Sequence, residues 1–533
     1  MSGLTSADTP GAAPVLNLPR EYNAAVDLVE RNLAAGRGDK LAYIDDHGSY
    51  TFADLAARVD RAANALRALG LGQEDRIMVA LLDGIDFPAV FLGAIKAGIV
   101  PVATNTLLKP TDYTFMLNDS RAKALIVSEA LLPGFADGIS ASPHLKQVAV
   151  SGSARPAHGV SLAALMAAAP PRALAAPTTR DDPCFWLYSS GSTGTPKGTV
   201  HIHSSPIHTA ELYARPVLGL TEHDVVFSAA KLFFAYGLGN ALSFPLAVGA
   251  TTVLMAERPT PEAVFRRLVE RQPTVFCGVP TLYAAMLANP ALPSRDQLRL
   301  RVCTSAGEAL PADVGRRFAG HFGVDVLDGI GSTEMLHIFL SNRPGEVRYG
   351  TTGKPVPGYR IRLIGDDGRE VPPGELGELQ ISGPTSALMY WNNRERSLAT
   401  FNGEWTRAGD KYSMDADGYY LYGGRSDDML KVGGQYVSPF EVEAALMSHP
   451  SVLEAAVVGA EDADGLTKPK AVIVLKAGIA GEHDVLAREL QQHVKNLLAP
   501  FKYPRWIAFV DELPKTATGK IQRYRLRGAD APD

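Results

Sequence analysis

Residues Tyr188–Thr199 read YSSGSTGTPKGT and place a lysine behind a run of hydroxyl and glycine residues. The first pattern to test is the ATP-binding loop G-x-x-x-x-G-K-[ST]. Counted from Gly191, the residue before Lys197 is Pro196 where that pattern has glycine, and Gly198 follows where it has serine or threonine. Proline lacks the N–H that the start of a phosphate-capping helix uses. The stretch therefore predicts a phosphate-binding loop of another kind.

The runs on either side of this stretch indicate where it lies in the fold. The apolar run CFWL at 184–187 predicts a buried strand before it, and VHIHS at 200–204 predicts another strand after it. Ligands of open α/β sheets bind at strand ends, where glycine turns aim N–H groups at an anion and hydroxyls add donors. A flexible Ser/Gly linker has a similar composition, but it would not usually join two buried strands. The predicted phosphate contacts are Ser189, Ser190, Gly191, Ser192, Thr193, Gly194 and Lys197.

The composition indicates a globular protein with a small-molecule ligand. The chain has 533 residues, of which 46% are hydrophobic and 20% charged, and its formal net charge is −5. This length predicts several domains, and the charge offers no basic surface to nucleic acid or an anionic membrane. Cys184, Cys277 and Cys303 lie far apart in apolar runs, which predicts buried, reduced thiols. The N-terminal MSGLTSADTPGAAP has no signal-peptide features, so we expect a flexible tail and a cytoplasmic protein.

Alternating strand and helix patterns predict an α/β fold. They run from about residue 50 to 130 and again from TVLMAE at 252–257 to DGIGSTE at 328–334, which predicts two similar subdomains with parallel sheets. The Ala/Pro-rich stretch 154–179 between them predicts a surface connection around one short helix. After about residue 348, glycine-punctuated strands predict a small antiparallel or barrel-like portion. From about residue 429, two helices and two strands predict a compact α+β unit.

The chain resembles a known family. SSGSTGTPKG is similar to the phosphate-binding loop of the adenylate-forming superfamily, which includes acyl-CoA synthetases, firefly-type luciferases and the adenylation domains of peptide synthetases. Further family motifs follow in order, and the resemblance covers the chain from about residue 20. Their counterparts here are Thr333 and Glu334 in DGIGSTE, Asp410 in TRAGD, Arg425 and Asp427 in GRSDDMLKVGG, and Lys520 after PKTATG.

The resemblance implies that ATP activates a carboxylate as an acyl adenylate with loss of pyrophosphate, and that coenzyme A then takes the acyl group. It implies that Glu334 holds Mg²⁺ and that Thr333 contacts the α-phosphate. Lys520 would reach both the carboxylate and the α-phosphate, and Asp410 would bind the ribose near Arg425. The adenine would lie against SAGEAL and the strand that precedes the Thr-Glu pair. The residues expected there are Gly307, Glu308, Asp328, Gly329 and Ile330.

The resemblance also implies a mobile C-terminal domain. Lys520 is far along the chain from the phosphate loop, and in the family the small domain rotates about a hinge, here Asp427. One face would supply the lysine, and the other, with Lys431, Gly433 and Gly434, would close the coenzyme A tunnel. The expected division is a tail at 1–20, a large domain at 21–426 that binds ATP and the carboxylate, and a small domain at 427–533.

The acid-binding segments indicate a flat, ring-shaped substrate. Phe234 and Tyr236 would form apolar walls with small residues between them, whereas Phe233 is expected in the core. These segments resemble those of the benzoate-CoA ligases, which implies a role in aromatic-acid degradation. The residues expected to contact the ring are Phe234, Ala235, Tyr236, Gly237, Ala306, Gly307, Gly331, His337 and Ile338.

Several alternatives stay open on the sequence. Within the family, 4-hydroxybenzoate or 2-aminobenzoate would also fit the slot, a medium-chain acid would need a longer tunnel, and oxygenase activity of the luciferase type is compatible with the motifs. A non-catalytic nucleotide-binding regulator is the alternative from another class. The pair His201 and His203 is weak evidence for a metal site. A homodimer is compatible with the sequence.

Overall fold

The structure is a computed structural model of the 533-residue chain. It describes residues 7–8 and 15–526 except 153, 191–195, 427, 433–434, 463–465, 480–481 and 516–520. For residues 7, 8, 15, 190, 431, 435, 436 and 524 only the backbone is described.

The first part of the chain alternates strands and helices as predicted. Where a flexible tail is expected, the described residues pair as two short antiparallel strands. The elements are β1 Ala7–Asp8, β2 Val15–Leu16, α1 Ala24–Ala34, β3 Leu41–Ile44, β4 Ser49–Thr51, α2 Phe52–Ala68, β5 Arg76–Ala80, α3 Asp86–Lys96, β6 Val100–Ala103, α4 Pro110–Ser120, β7 Ala124–Ser128, α5 Ala136–Ala141, β8 Gln147–Ser151, β9 Val160–Ser161, α6 Leu162–Ala168, β10 Pro183–Ser190 and β11 Pro196–Ile202.

The second part repeats the alternation up to the Thr-Glu pair and its return strand. The elements are α7 Ser205–Thr209, β12 Val225–Ser228, α8 Ala235–Leu238, α9 Phe244–Val248, β13 Thr251–Val253, α10 Pro261–Arg271, β14 Val275–Gly278, α11 Pro280–Ala288, β15 Val302–Ser305, α12 Ala312–Phe322, β16 Val326–Gly331, β17 Ile338–Ser341 and β18 Lys354–Pro355. One-turn π-helices at Ala210–Ala214 and Gly239–Ser243 extend α7 and α8.

The remainder forms the predicted antiparallel portion and the α+β unit. The elements are β19 Arg360–Ile364, β20 Gly377–Ser382, β21 Met389–Tyr390, α13 Arg394–Thr400, β22 Phe401–Asn402, β23 Trp405–Met414, β24 Tyr420–Arg425, β25 Leu430–Val432, β26 Gln435–Val437, α14 Pro439–Met447, β27 Val452–Glu461, β28 Thr467–Leu475, α15 His483–Leu497 and β29 Trp506–Phe509. Short 3-10 helices lie at Glu129–Phe135, Arg295–Gln297, Pro500–Lys502 and Arg523–Arg525.

Two large sheets carry the candidate site. Within the described residues, one has eight strands in the order β21-β11-β10-β6-β5-β7-β8-β9, and the other has nine in the order β18-β17-β16-β15-β14-β12-β13-β3-β4. Their central strands are parallel, and antiparallel strands lie at the β11 and β17 ends. The α/β fold with two subdomains, a small antiparallel sheet around β23 and an α+β C-terminal unit is therefore confirmed.

The central strands are buried on both faces, as parallel strands usually are. On β5, Ile77 and Val79 join the largest apolar cluster, while Met78 faces a second cluster between β5 and α4. On β14 of the other sheet, Val275 also belongs to the largest cluster. One core is thus shared by both sheets. The three cysteines are buried and free, as predicted.

Helix α2 begins later than its sequence pattern predicts. The run SYTFADLAARVD reads as helical from its first residues, but Ser49–Thr51 is a strand that pairs with β3. Thr51 caps α2 because its hydroxyl accepts from the Asp54 N–H while the Asp54 carboxylate accepts from the Thr51 N–H. The capping box fixes the start of the helix at Phe52. Residues 49–51 are therefore free to pair with β3 at the end of the second sheet.

Candidate active site

The predicted phosphate loop connects two strands that form a β-hairpin. β10 and β11 pair antiparallel, with Ser189 opposite Lys197 and Ser190 opposite Pro196. Lys197 therefore lies on β11 rather than within the loop, because the ladder between β10 and β11 includes it. The expected contacts Gly191, Ser192, Thr193 and Gly194, and the Ser190 side chain, lie outside what the structure describes.

Lys197 lies in a partly buried group with an aromatic ring and a carboxylate. Its Nζ is 4.7 Å from the centre of the Tyr390 ring, and the Tyr390 hydroxyl donates to Glu334 Oε1 over 2.6 Å. The Ser189 hydroxyl is 3.5 Å from the same oxygen, at the limit of a hydrogen bond. Burial lowers the pKa of Lys197, and the charge of Glu334 opposes that shift. Two predicted residues, Lys197 and Glu334, are thus brought together by a tyrosine that the sequence did not indicate.

The Thr-Glu pair lies in the link between β16 and β17, and its carbonyls are held by neighbouring segments. His201 Nε2 is 2.7 Å from the Thr333 carbonyl oxygen, and the Ala387 N–H donates to the Glu334 carbonyl over 2.7 Å. The Thr385 hydroxyl donates to the next carbonyl, that of Met335. These partners leave the half-buried side chains of Thr333 and Glu334 available to a ligand.

The expected adenine segments lie side by side. β15 and β16 are neighbouring parallel strands with Ser305 opposite Asp328, so SAGE begins at the end of β15 beside DGIG, which continues in β16. Gly307 has φ +96°, a conformation that favours glycine, and nothing lies closer than 4.0 Å to the place of a Cβ there. Asp328 is buried, and its Oδ1 has no hydrogen-bond partner among the described residues. Burial raises the pKa of this carboxyl well above its usual range. Glu308, Gly329 and Ile330 flank these positions.

The expected ribose-binding residues face each other on a hairpin. Asp410 of β23 is opposite Arg425 of β24, and Arg425 Nη1 donates to Asp410 Oδ1 over 3.3 Å. Asp410 is buried, whereas Arg425 is exposed. The structure thus brings together the aspartate and the arginine that the sequence pairs only through the family motifs.

The expected ring-binding segments also meet. His337 Nε2 is 3.2 Å from the Tyr236 carbonyl oxygen, and the Tyr236 hydroxyl is 2.6 Å from Thr304 Oγ1. Phe234 packs on Phe233, which is in the core as predicted. Ala235 begins α8, and Gly237 is buried against the carbonyls of residues 230 and 231. Ala306, the residue after β15, and Ile338, the first residue of β17, are also buried.

His337 is enclosed by aromatic rings, two of which the sequence did not indicate. Ring centres of Phe244, Tyr213 and Tyr236 lie 4.4, 5.5 and 5.6 Å from that of His337. Burial lowers the pKa of His337 to about 3, so the imidazole is neutral. Its Nδ1 has no hydrogen-bond partner among the described residues.

Gly331 is required for a reason other than the one that its place in the sequence suggests. Gly331 is expected to leave room for the ring of a substrate. A Cβ at this position would lie 2.5 Å from the His337 carbonyl oxygen, closer than real Cβ contacts allow. Glycine is therefore required at 331 by the close approach of β16 to β17, whether or not a ligand is bound.

The expected C-terminal residues are only partly described. Asp427, Gly433, Gly434 and Lys520 lie outside the described residues, and Lys431 is described by its backbone alone, in β25. His201 and His203 have separate partners, the Thr333 carbonyl and the Ala24 N–H. Among the described residues, no group of three or more His, Cys, Asp or Glu side chains is placed to hold a metal ion. No helix in the described ranges is long and apolar enough to cross a membrane.

Comparisons with known proteins match the chain along nearly its whole length. The profile of the family described as AMP-binding enzyme matches residues 30–391, and that of the AMP-binding enzyme C-terminal domain matches 441–520. The benzoate–CoA ligase of Thauera aromatica is 66% identical over 99% of this chain and 100% of its own. The 4-hydroxybenzoate–CoA/benzoate–CoA ligase of Rhodopseudomonas palustris is 53% identical over 95% of this chain and 94% of its own.

Solved structures agree with these relatives. A benzoate CoA ligase from Burkholderia xenovorans LB400 superposes with a TM-score of 0.89 at 57% identity, covering 95% of this chain and 100% of that one. The anthranilate CoA ligase AuaEII, in complex with anthranoyl-AMP, superposes with a TM-score of 0.92 at 45% identity, covering 96% of this chain and 97% of that one.

Proposed function

The chain belongs to the family of AMP-binding enzymes, and from this premise we propose that it is a benzoate-CoA ligase, acting in the degradation of aromatic acids. The observation that carries the proposal is the 66% identity with a benzoate–CoA ligase over the full length of both chains. The aromatic rings of Tyr236, Tyr213 and Phe244 around His337 support it, because aromatic walls at the ring-binding segments suit a planar ring.

The first half-reaction joins benzoate to AMP. A carboxylate oxygen of benzoate attacks the α-phosphorus of ATP, the bond from that phosphorus to the bridging oxygen breaks, and pyrophosphate leaves. Two anions must approach each other, so cationic groups and hydrogen-bond donors at the phosphates lower the barrier. We assign the departing phosphates to the Ser/Thr/Gly loop and Lys197, the α-phosphate to Thr333, and the reacting oxygens to Lys520.

We assign the nucleoside to residues of β16 and β23 and of the segment that follows β15. We assign the ribose hydroxyls to the Asp410 carboxylate, which its bond from Arg425 holds in place. The adenine would lie between the Gly307 and Asp328 segments, where the unpartnered Asp328 Oδ1 is available as an acceptor.

The donor set fits a magnesium ion bound mainly through phosphate. Glu334 supplies one hard carboxylate, and the described hydroxyls that reach it, those of Tyr390 and Ser189, both approach Oε1. Mg²⁺ is commonly bound by one or two carboxylates together with substrate phosphates and water. When bound, it would neutralise charge on the phosphate oxygens. Glu334 and the ATP phosphates would hold it.

The second half-reaction transfers the benzoyl group. The thiolate of coenzyme A attacks the carbonyl carbon of benzoyl-AMP, the bond from that carbon to the phosphate oxygen breaks, and AMP leaves with the pair of electrons. A thiol ionises near pH 8.5 and is intrinsically nucleophilic, so the step needs no dedicated base. We propose that the domain beyond Asp427 turns between the two steps and brings Lys431, Gly433 and Gly434 to the thiol tunnel. The boundaries 21–426 and 427–533, a cytoplasmic location and a homodimer stay predictions.

The test is carboxylate-dependent release of pyrophosphate with ATP and Mg²⁺. The panel is benzoate, 2-aminobenzoate, 4-hydroxybenzoate, phenylacetate and hexanoate, each with and without coenzyme A. We expect benzoate to turn over fastest and benzoyl-CoA to form only when the thiol is present. Faster turnover of hexanoate would contradict the slot, and no release with any acid would favour a nucleotide-binding regulator.

A second candidate substrate is 4-hydroxybenzoate. The buried, neutral His337 has an unpartnered acceptor at Nδ1, and a ring hydroxyl that reached it would satisfy it. A relative at 53% identity is described as acting on both acids. The same panel distinguishes the two candidates by their kcat/KM values.

A further inference from the structure

His201 lies on β11, four positions beyond Lys197, in the strand that follows the phosphate loop. Its side chain is fully buried, and its ring stacks on Phe185 with centres 5.4 Å apart and planes at 25°. Nε2 lies 2.7 Å from the Thr333 carbonyl oxygen. Because a carbonyl oxygen can only accept, Nε2 carries the proton and His201 is the donor.

The bond joins the two sheets at the candidate phosphate site. β11 belongs to the eight-stranded sheet, whereas Thr333 follows β16 of the nine-stranded sheet. One end of the bond is fixed to the strand that carries Lys197, and the other to the residue before Glu334. The bond therefore ties the strand that follows the loop directly to the Thr-Glu link.

We propose that His201 is a positioning residue that holds Thr333 in register with the phosphate-loop hairpin, so that both segments reach the same phosphate chain. The proposal rests on the proposed function, because it takes Thr333 as an α-phosphate contact. Its consequence is that loss of the Nε2 donor weakens binding of the phosphate while leaving the nucleoside contacts at Asp328 and Asp410 intact.

The protonation state of His201 suits this role. Burial lowers the pKa of His201 to about 4, against the opposing effects of the Thr333 carbonyl and the Glu334 charge. The ring is therefore a neutral donor at physiological pH. It adds a directed hydrogen bond without adding a positive charge that would compete with Lys197 for phosphate.

His203 offers a matched comparison two positions further on. It is also buried, but its Nδ1 accepts from the Ala24 N–H over 3.1 Å and so ties the end of β11 to α1. Burial lowers its pKa to about 4 as well. The two histidines share burial and charge state and lie two positions apart, in β11 and just after it, and they differ in whether their partner belongs to the candidate phosphate site.

Substitution by asparagine or glutamine distinguishes the roles of the two imidazole nitrogens. The Gln amide nitrogen lies about as far from the backbone as imidazole Nε2, whereas the Asn amide group lies about where Nδ1 does. His201→Gln therefore keeps the donor to Thr333, and His201→Asn loses it. At His203 the order reverses, because His203→Asn keeps an acceptor near Nδ1 and His203→Gln loses it.

The experiment measures the dissociation constants of AMP and adenosine for each variant by calorimetry, with thermal unfolding alongside. Adenosine shares the base and ribose with AMP and lacks the phosphate. We expect His201→Asn to weaken AMP binding about 5- to 30-fold and to change adenosine binding less than about twofold, since one carbonyl partner is lost. His201→Gln should restore most of the AMP affinity, and the His203 variants should shift both ligands equally.

Thr333→Val separates failure of this inference from failure of the proposed function. If Thr333→Val lowers the affinity for AMP relative to adenosine and His201→Asn does not, the positioning role is wrong. If the unchanged protein binds AMP no more tightly than adenosine, the phosphate site itself is wrong, and this role falls with it. Should His201→Asn fail to fold, His201→Met fills a similar volume without a donor and is judged by the same ratio.

Discussion

Replacing Tyr390 by phenylalanine would isolate one contact in the candidate active site. The change removes the hydroxyl that donates to Glu334 Oε1 over 2.6 Å. It keeps the aromatic ring over which Lys197 Nζ lies at 4.7 Å. If Glu334 binds magnesium, the variant changes how the carboxylate is held without removing any charge from the site.

The expected size follows from the type of bond. A hydrogen bond to a charged group contributes about 1.5–3 kcal/mol, and Glu334 is only half-buried, so water replaces part of what is lost. The lower end, about 1.5 kcal/mol, corresponds to a factor of about ten in an equilibrium constant. The freed carboxylate would also turn toward the nearby Lys197, whose charge it already stabilises. We therefore expect the Mg²⁺ concentration for half-maximal activity to rise about tenfold.

The assay is benzoate-dependent exchange of pyrophosphate into ATP, titrated with Mg²⁺ at fixed free ATP. At saturating Mg²⁺ the Tyr390→Phe variant should regain most of its rate. Tyr22→Phe is the matched control, because the Tyr22 hydroxyl donates to Asp27 Oδ2 over the same 2.6 Å, beside α1. An unchanged Mg²⁺ requirement in Tyr390→Phe, or an equal shift in Tyr22→Phe, would refute the reasoning.

Three further predictions concern other groups. Asp410→Ala should raise the KM for ATP at least about tenfold and leave the KM for benzoate unchanged in steady-state assays, because a charge-assisted contact to the ribose is lost. Lys520→Ala should nearly abolish adenylate formation and leave thioester synthesis from supplied benzoyl-AMP largely intact; equal failure of both half-reactions would contradict a turning domain. Burial raises the pKa of Asp83 to about 6, against the opposing effect of the Lys231 charge. Above pH 6 the buried carboxylate is charged, and this charge destabilises the folded state. Asp83→Asn should therefore raise the melting temperature at pH 8, by an amount that corresponds at most to about 3 kcal/mol, and this gain should disappear as the pH falls from 6 toward 4; a gain that persists at pH 4 would be evidence against it.

Much of the fold can be predicted from the sequence because its signals are local. The apolar runs of α3 and of the central parallel strands are uninterrupted, α3 lies between Gly84 and Gly98, and α2 lies between its Thr51 cap and Gly70. The membership of β3 and β4 in the second sheet is not local. Those strands precede every strand of the first sheet, and the pairing of β3 with β13 joins Tyr43 to Thr252, more than two hundred residues away. No pattern within residues 41–51 identifies that partner.

In the candidate site, too, some residues have a local sequence signal and others do not. Lys197, Glu334 and Asp410 are identified through motifs because each lies in a short segment that is similar to a motif of the family. His201 and Tyr390 contact the Thr-Glu pair from β11 and β21, and their own neighbourhoods resemble ordinary buried strand and loop sequence. A polar side chain facing inward on a buried strand beside the phosphate loop is the one local signal that His201 offers. For Tyr390 the relevant fact is that β21 pairs with β11 and so places the hydroxyl at Glu334, which only the three-dimensional arrangement of the sheet reveals.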